Sequence, residues 1–511
     1  MFYDSVILTG LSKLVVLIGR FWSGSVIGAA LRWLGRKLGQ LFSASGIFAF
    51  IGREGRGEAA WEKSRLFRFC EWLLALPSTL LGGPFNRTRR IFEASLAYAV
   101  LNYLLGKLHI FIALFIFLVL VVPHNFWDNR YNTAAMLLLL FLFVVRTITD
   151  SRVKFYVKAF DLFLFIFLLS VVLAEVLSLY PGLSLRFLAF YATSFLLVLL
   201  LASTVKTSEQ LANVIEIILI GLTISGLYGI WQEIKGVPLI PSQVDTNLNE
   251  GMLGRIYSTL DNPNNYAEVL IMLLPFYAAV LFYSKGIVKK LLFLAFAVPS
   301  LVALFLTGSR SSWIGFALAV LVFTFIKKKA VVPLLIVLGI LMIPFLPQSI
   351  YRRLMTIFNP TGDTSAMYRI DIYRTVLPML KDYWVTGLGL GNDVFMKINQ
   401  NYYQYTTKVP IHAHNVFLQV WFETGLIGIL SFTGYVLGLI KKCFKAVKKA
   451  ADPVAANMLA AGAASITGIL VVSLFEYVWF YPRTMLVFWA VAGLATAALK
   501  LAYQQESNAQ S

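Results

Sequence analysis

Long apolar segments recur from residue 107 to residue 503 and constrain the fold more than any other feature. Hydrophobic residues make up 59% of the 511 residues and charged residues 14%, whereas soluble domains have roughly 45–50% and 25%. The sequence therefore predicts an all-α polytopic membrane protein with about twelve transmembrane helices. The predicted spans are 107–122, 131–147, 157–178, 186–205, 211–231, 266–284, 290–307, 311–327, 330–346, 414–440, 455–475 and 484–503.

Basic residues cluster in alternate connections between these spans. The four basic connections are marked by Arg146 to Lys158, Lys285 to Lys290, Lys327 to Lys329 and Lys441 to Lys449. Because Lys and Arg favour cytoplasmic loops, this pattern predicts that both termini are cytoplasmic. The same rule accounts for the net charge of +19, so this charge does not indicate a nucleic-acid partner.

The regions of the chain follow from these spans. We predict a basic, amphipathic cytoplasmic region at 1–93, transmembrane helices 1–9 within 94–346, and a large extracytoplasmic loop at 347–413. Helices 10–12 then occupy 414–503, and 504–511 form a cytoplasmic tail. The amphipathic helices of 1–93 are expected on the inner leaflet, where basic side chains meet anionic lipid. One or two extra spans near 5–50 are the alternative.

The loop at 347–413 has the composition of a folded cap rather than of a disordered linker. Apolar residues at helical spacing predict a helix that Asp363 or Thr364 caps and that runs through Lys381. A flexible turn with three glycines follows: Gly387, Gly389 and Gly391. The sequence therefore predicts a helical extracytoplasmic domain over the outer end of the bundle.

Several motifs of nucleotide and metal chemistry are missing from the sequence. It contains no Walker A motif, no Asp-x-Asp pair and no His-Glu-x-x-His. The run from Gly387 has Asn392 at the position where a G-x-G-x-x-G dinucleotide loop has its third glycine. Cys70 and Cys443 have neither disulfide nor metal-ligand spacing. We therefore predict no cofactor and no metal site.

Two histidines precede the tenth predicted span. On a continuous helix, Gly425 and Gly428 would return to within about 20° and 40° of the His414 direction. That face suits a groove for an isoprenoid tail, although close helix–helix contact is the more common use of such glycines. A His at this boundary is suited to act as a general base. The alternatives are an interfacial hydrogen-bonding residue and, less favoured, a metal ligand paired with His412.

Three further patches carry polar groups at the outer ends of spans. Arg310, with Ser309 before it, begins the eighth span and is suited to hold phosphate. An ion pair with a loop carboxylate is the alternative for Arg310. In the loop helix, Asp371 is expected to pair with Arg374, which leaves Arg369 as the freer cation.

The third patch, which includes Asn262 and Asn264, enters the sixth span. Its residues suit a turn and a helix cap, or contacts with sugar hydroxyls. The polar groups that we consider for substrate binding in these patches and beside His414 are Asn262, Asn264, Ser309, Arg374, His412 and Asn415.

Together, these motifs resemble the bacterial O-antigen ligase and O-antigen polymerase superfamily of integral-membrane glycosyltransferases. The resemblance covers roughly 200–435, leaves 1–93 unexplained, and favours the ligase branch through His414-Asn415 followed by Gly425 and Gly428. The other motifs that carry it are Asn262-Pro263-Asn264, Thr307-Gly308-Ser309-Arg310-Ser311 and Arg369.

The resemblance implies a twelve-span, GT-C-like fold and metal-independent, inverting transfer of a glycan from undecaprenyl pyrophosphate to an acceptor hydroxyl. In that reaction His414 would be the base, and Arg310 and Arg369 would hold the donor pyrophosphate. The acceptor would be a glycan, lipid or protein at the outer face of the bacterial cytoplasmic membrane, as in lipopolysaccharide assembly. The alternatives are polymerisation of lipid-linked repeat units, transfer to protein or wall polymer, and, less favoured, a flippase or transporter.

Overall fold

The computed structural model describes residues 56–510 except 238–253, 347, 356–363 and 407–408, together with positions 33, 37 and 40. The described residues form helices and no β-strand. The first helices are α1 (Arg56–Lys63), α2 (Arg65–Glu93), α3 (Leu96–Leu105), α4 (Leu108–Val121), α5 (Arg130–Thr149), α6 (Leu162–Val176), α7 (Pro181–Thr204), α8 (Ser208–Lys235) and α9 (Pro263–Tyr283). They are followed by α10 (Ile287–Leu306), α11 (Arg310–Lys328), α12 (Val332–Met342), α13 (Gln348–Met355), α14 (Thr364–Tyr383), α15 (Asn392–Asn399), α16 (Val416–Lys449), α17 (Pro453–Val472) and α18 (Pro482–Gln510).

Within the described residues, nine helical segments are long and apolar enough to cross a membrane. The number rises to ten if α3 and α4, which meet at a 63° bend, form one broken span. All twelve predicted spans coincide with helices. The prediction of an all-α polytopic membrane protein is therefore confirmed, whereas the count of twelve spans stays a prediction.

The lower count has three local causes. Helix α4 reaches spanning length only together with α3, and α6 has 15 residues, or about 22 Å at 1.5 Å per residue. The predicted eighth and ninth spans fall within one 36-residue helical run, Arg310–Phe345. The backbone at Lys328 in this run is not helical (φ −151°, ψ 76°), and that residue lies at the basic break predicted from the sequence.

Helices α17 and α18 form the centre of the bundle. Helix α17 packs against α9, α11 and α16, and α18 packs against α7. Two glycines allow the close approach of α11 and α17, because a Cβ atom added at Gly468 would lie 2.7 Å from the carbonyl oxygen of Gly315. Small residues at such contacts let transmembrane backbones approach one another.

Two buried cations of α18 complete the ends of neighbouring helices. The Lys500 ammonium donates to the carbonyls of Ala202 and Val205, both at 2.6 Å, where α7 ends. The Arg483 guanidinium donates to the carbonyl of Val122 at 2.8 Å, where α4 ends. Carbonyls in the last turn of a helix have no intrahelical partner, so these side chains satisfy groups that would otherwise be unpaired.

The N-terminal helices α1 and α2 pack on one end of the bundle. The Trp61 Nε1 atom donates to the carbonyl of Phe160 at 3.0 Å, and Glu62 pairs with Lys158 at 2.6 Å. Lys442, near the end of α16, pairs with Glu58 and with Asp161. Helix α2 also exposes apolar side chains that include Leu66, Phe69, Trp72, Leu73 and Leu80. Such a face suits the predicted location on the inner leaflet, while residues 1–55 and the alternative spans near 5–50 lie outside the described residues apart from positions 33, 37 and 40.

A small domain covers the opposite end of α16. Its core contains Ile372, Val376 and Met379 of α14, Phe395 of α15 and Phe422 of α16. Helix α14 confirms the helix predicted through Lys381 and continues to Tyr383, while Asp363 lies outside the described residues. This domain is the predicted cap, and its extracytoplasmic location stays a prediction.

Candidate active site

The two histidines lie in a turn that precedes α16. Asn415 caps the helix, since its side-chain oxygen accepts from the Leu418 amide at 3.0 Å, and its Nδ2 atom donates to the Leu474 carbonyl at 3.0 Å. The helix therefore begins at Val416, and His414 has a left-handed backbone (φ 47°). The prediction that His414 lies on one helical face with the two glycines is wrong, because the histidines precede the helix.

The glycines of α16 are contact positions rather than open ones. The Gly425 backbone is left-handed (φ 68°) and interrupts the helix, and a Cβ atom there would lie 2.1 Å from the Val385 carbonyl oxygen. A Cβ atom at Gly428 would lie 1.8 Å from Oγ1 of Thr424 and 3.1 Å from Oγ of Ser170. These contacts favour close packing, the alternative to the predicted lipid groove.

The glycine turn before α15 fills the break at Gly425. Gly387, Gly389 and Gly391 all have positive φ, and a Cβ atom at Gly387 would lie 2.7 Å from the Gly425 nitrogen. Only a residue without a side chain fits such a backbone contact. The prediction of a flexible turn is therefore wrong, because the turn packs against the backbone of α16 and supports the site.

His414 contacts a carboxylate that the sequence analysis did not select. Its Nδ1 atom lies 3.2 Å from Oε2 of Glu476, which is in the connection between α17 and α18. The His414 side chain is 23% exposed and that of Glu476 is 9% exposed. A carboxylate acceptor at Nδ1 fixes the proton on that nitrogen and leaves Nε2 as a hydrogen-bond acceptor.

Glu476 joins three of the predicted site residues. Its Oε1 atom pairs with the Arg369 guanidinium and accepts from Nδ2 of Asn264 at 3.2 Å. Arg369 also donates through Nε to the Phe475 carbonyl at 2.8 Å. Burial alone would raise the pKa of the Glu476 carboxyl, but the Arg369 charge and the His414 hydrogen bond outweigh burial and lower it to about 2.

The loop helix α14 gives one confirmed prediction and one correction. Asp371 pairs with Arg374 at 3.4 Å, as predicted from their spacing. The prediction that Arg369 is the freer cation is wrong, because Arg369 pairs with Glu476. The spacing of residues within α14 contains no information about a carboxylate on another connection.

The asparagine patch is both a cap and part of the network. Asn262 caps α9 by accepting from the Asn264 amide at 2.8 Å. The Oδ1 atom of Asn264 accepts from Nη2 of Arg255 at 2.5 Å, and Nε of Arg255 donates to the Thr307 carbonyl at 2.7 Å. Arg255 therefore joins the asparagine patch to the turn that carries Arg310.

Arg310 is half-buried at the first position of α11. The hydroxyls of Ser309 and Ser312 beside it are 2.9 Å apart. Arg255 and Asn264 connect this turn to Glu476. His414, Arg369 and Asn264 each contact Glu476 directly. Three of the predicted residues are thus gathered around one carboxylate, and Arg310 lies on the adjoining turn.

His412 lies inside the site rather than at its surface. Its Nδ1 atom accepts from the His414 amide at 3.2 Å, and its ring packs 4.7 Å from that of Phe480. Burial lowers the pKa of His412 well below its ordinary value, and the neighbouring His414 lowers it further. His412 is therefore a neutral packing residue that supports the His414 backbone.

A second buried network holds the histidine turn in place. Gln419 accepts from the Ala413 amide at 2.9 Å through Oε1 and donates to Glu423 at 3.1 Å through Nε2. The Glu423 carboxyl also accepts from the hydroxyls of Tyr191 at 2.8 Å and Tyr477 at 2.9 Å. These contacts tie α16 to α7 and to the connection that carries Glu476.

Sequence reasoning missed Glu476 and Arg255 for different reasons. Glu476 is an isolated acidic residue directly after the eleventh predicted span. Its position at the outer end of that span was the only sequence feature that could have pointed to it. Arg255 lies in the loop before the asparagine patch and showed no motif of its own. In the part of the chain that the structure describes, no group of three or more His, Cys, Asp or Glu residues is arranged to hold a metal.

Residues 295–433 match the family model described as O-antigen ligase. This segment is similar to the O-antigen ligases. The match supports the O-antigen ligase and polymerase superfamily, so the resemblance predicted from the motifs is confirmed. Comparison with curated proteins gave no match.

The segment that matches this family model contains part of the site. It includes Arg310, Arg369 and His414, whereas Asn264 precedes it and Glu476 follows it. The fold closes the network by bringing α9 and the connection between α17 and α18 against this segment.

Proposed function

We propose that this protein transfers a glycan from an undecaprenyl-pyrophosphate donor to an acceptor hydroxyl at the outer face of the bacterial cytoplasmic membrane. The family match supports glycan transfer in O-antigen biosynthesis by a membrane glycosyltransferase. The observation that carries the proposal is the His414–Glu476 contact, with Arg369 on the same carboxylate. This contact supports the proposal that His414 acts as a base next to a cation suited to phosphate.

In the proposed reaction, Nε2 of His414 accepts the proton of the acceptor hydroxyl. The acceptor oxygen forms a bond to the anomeric carbon while the bond from that carbon to the pyrophosphate oxygen breaks, and undecaprenyl pyrophosphate leaves. A single displacement of this kind inverts the anomeric configuration. Glu476 is a positioning residue, because it fixes the imidazole and stabilises the ring once protonated.

Arg310 and Arg369 are proposed to hold the donor pyrophosphate. Guanidinium groups bind phosphate oxygens in a planar, bidentate geometry. Their charge offsets the charge that grows on the leaving pyrophosphate, which stabilises the transition state more than the bound donor. These cations take the place of a divalent metal, so we propose metal-independent transfer.

The distribution of charge along α16 supports an outer location for the site. His414 and Asn415 precede this helix, and Lys441 to Lys449 lie at its other end. The 34 residues of α16 correspond to about 50 Å at 1.5 Å per residue. With the basic end in the cytoplasm, the cap domain and the site face outward.

Three other functions are the alternatives. Polymerisation of lipid-linked repeat units, or transfer to protein or wall polymer, would use the same base and donor with another acceptor. A flippase or transporter would more often place ionisable groups in mid-membrane helices. Two acids of the predicted spans have structural partners: Asp161 caps α6 and pairs with Lys442, and Glu216 pairs with Lys289.

The deciding experiment uses purified protein in lipid nanodiscs with a synthetic undecaprenyl-pyrophosphate glycan and candidate acceptors, with excess EDTA in a parallel reaction. We expect glycosylated acceptor of inverted anomeric configuration, with equal yield in EDTA. Retention of configuration would contradict single displacement, and a loss of activity that Mg²⁺ or Mn²⁺ restores would contradict metal independence. Movement of labelled donor between leaflets without product would favour a flippase.

A further inference from the structure

The aromatic ring of Tyr368 lies beside the imidazole of His414. Tyr368 is near the start of α14, in the cap domain, and the centroids of the two rings are 6.2 Å apart. The planes of the two rings meet at 78°. The cap domain therefore places an aromatic side chain next to the residue that we propose as the base.

Hydrogen bonds fix α14 relative to the histidine turn. The Tyr373 hydroxyl lies 3.1 Å from the carbonyl oxygen of Leu474 and 3.4 Å from that of His414. The contact between Arg369 and Glu476 adds a second connection between the same parts of the chain. Both contacts start from the turns of α14 that carry the aromatic ring, so the backbone of the site determines where this ring lies.

The Tyr368 side chain is not covered by the protein. Tyr368 is 41% exposed, whereas Ile372 and Val376 on the same helix are fully buried in the core of the cap domain. The contact with His414 thus covers only part of the ring. Because aromatic rings gain free energy when an apolar surface covers them, the exposed part of this ring is suited to contact a substrate.

The groups around His414 match the two sides of a sugar ring. Arg369 and Glu476 are charged, and Tyr368 provides an aromatic surface. A pyranose likewise has an apolar face of C–H groups and an edge of hydroxyls. Ligand sites commonly combine aromatic walls with a few placed polar groups. The site therefore offers a contact for each side of a pyranose.

The angle between the two rings allows both contacts to form together. A pyranose that lies flat on an aromatic ring points its equatorial hydroxyls outward, along the plane of that ring. The imidazole of His414 stands at 78° to the plane of Tyr368, so it can face such an edge. A hydroxyl of the stacked sugar can therefore donate to Nε2 of His414, the acceptor nitrogen.

We propose that Tyr368 is a specificity-determining residue that stacks on the sugar ring carrying the acceptor hydroxyl. The sugar is assigned to the acceptor because Tyr368 contacts His414, the proposed base for that hydroxyl, whereas the pyrophosphate of the donor is assigned to Arg310 and Arg369. The stacking selects a cyclic sugar over an acyclic alcohol of similar polarity. This inference rests on the proposed glycan transfer.

The first experiment measures sugar binding without donor. Saturation-transfer NMR on the nanodisc protein follows the ring C–H signals of methyl glucoside and methyl galactoside, with sorbitol as the acyclic reference. We expect saturation of at least one glycoside with wild type, its loss in Tyr368→Leu, and its recovery in Tyr368→Phe, which keeps the ring. Tyr403→Leu is the matched control, because Tyr403 is 42% exposed on the same domain, and it is expected to keep the signal.

The second experiment measures transfer to acceptors that share one lipid anchor and carry glucose, galactose or sorbitol. Tyr368→Leu is expected to raise the KM for the sugar acceptors roughly five- to twentyfold, or about 1–2 kcal/mol at 1.4 kcal/mol per tenfold change. The kcat at saturating acceptor, the KM for the donor and the rate with the sorbitol acceptor are expected to stay nearly unchanged. Tyr368→Phe is expected to restore most of the lost affinity.

The outcomes separate stacking from a positioning role. A fall in kcat with every acceptor at unchanged acceptor KM would make Tyr368 a positioning residue for His414 and overturn the inference. A rise in the donor KM alone would assign the sugar to the donor and overturn it as well.

The binding data separate this inference from the proposed function. Absent saturation with both glycosides, equal saturation of glycosides and sorbitol, or saturation that persists in Tyr368→Leu would overturn the inference. A Tyr368→Phe variant that binds no better than Tyr368→Leu would do the same. Selective glycoside binding that requires the ring but leads to no transfer would leave the stacking role standing and contradict the proposed glycan transfer.

Discussion

His414 Nδ1 lies 3.2 Å from Glu476 Oε2, although the two residues are 62 positions apart in the sequence. The same carboxylate pairs with Arg369. The proposed base and a proposed phosphate ligand are therefore joined by one buried side chain, and changes at Glu476 are expected to affect both.

Replacing Glu476 tests this connection. Glu476→Gln removes the charge that orients His414 and Arg369, so we expect kcat to fall and the donor KM to rise together. The fall in kcat is bounded by the value of general-base catalysis, roughly 10²–10⁴. Steady-state kinetics with varied donor measure both constants, and unchanged kcat with normal folding would contradict the positioning role.

The two histidines are expected to differ. His414→Ala removes the base and lowers kcat by roughly 10²–10⁴, with donor binding nearly unchanged. His412→Ala removes a packing residue and is expected to cost much less. Product formation and donor binding are measured on the same variants. Full transfer by His414→Ala would end the base assignment, and loss of donor binding would make His414 a phosphate ligand.

The three arginines form a matched series. Arg310→Lys and Arg369→Lys keep the charge but lose the planar fork, so both are expected to impair transfer strongly. Arg374→Lys is the control, because Arg374 is exposed and pairs with Asp371. Transfer rates of the three variants are compared at equal protein content, and equal losses in all three would contradict the selection of Arg310 and Arg369.

The lowered pKa of Glu476 predicts how stability depends on pH. The carboxyl has a pKa of about 2 in the fold against an ordinary 4.5, so the unfolded chain binds the proton more readily. The stability from ionised Glu476 is complete above about pH 4.5 and is lost as pH falls toward 2. Melting temperatures of wild type and Glu476→Gln should differ by a constant amount above pH 5 and converge below pH 4.5. A constant difference down to pH 2 would contradict the lowered pKa.

Cysteine accessibility tests the predicted orientation. Cys70 on α2 is partly exposed, whereas Cys443 in α16 is fully buried. A membrane-impermeant thiol reagent is expected to miss Cys70 in intact spheroplasts and label it after lysis. Cys443 is expected to resist labelling in both conditions. Labelling of Cys70 from outside would place 1–93 on the outer side.

The sequence by itself determined the fold class and most of the candidate site. Apolar segments separated by basic or polar breaks predicted the helices, because a bilayer requires long apolar stretches whose backbone groups bond within the segment. Short motifs identified Arg310, Arg369 and His414, and helical spacing predicted the Asp371–Arg374 pair. These features depend on neighbouring residues or on length and composition.

Only the tertiary structure decided which groups meet. Glu476 and Arg255 reach the site through contacts between distant helices, and no local pattern encodes such a contact. The helical-face argument failed because His414 precedes α16 and because the helix is interrupted at Gly425, where the glycine turn beginning at Gly387 packs against it. Buried charges require partners, and the partners are set by how the helices pack, so the carboxylate that joins His414 to Arg369 became visible only in the folded chain.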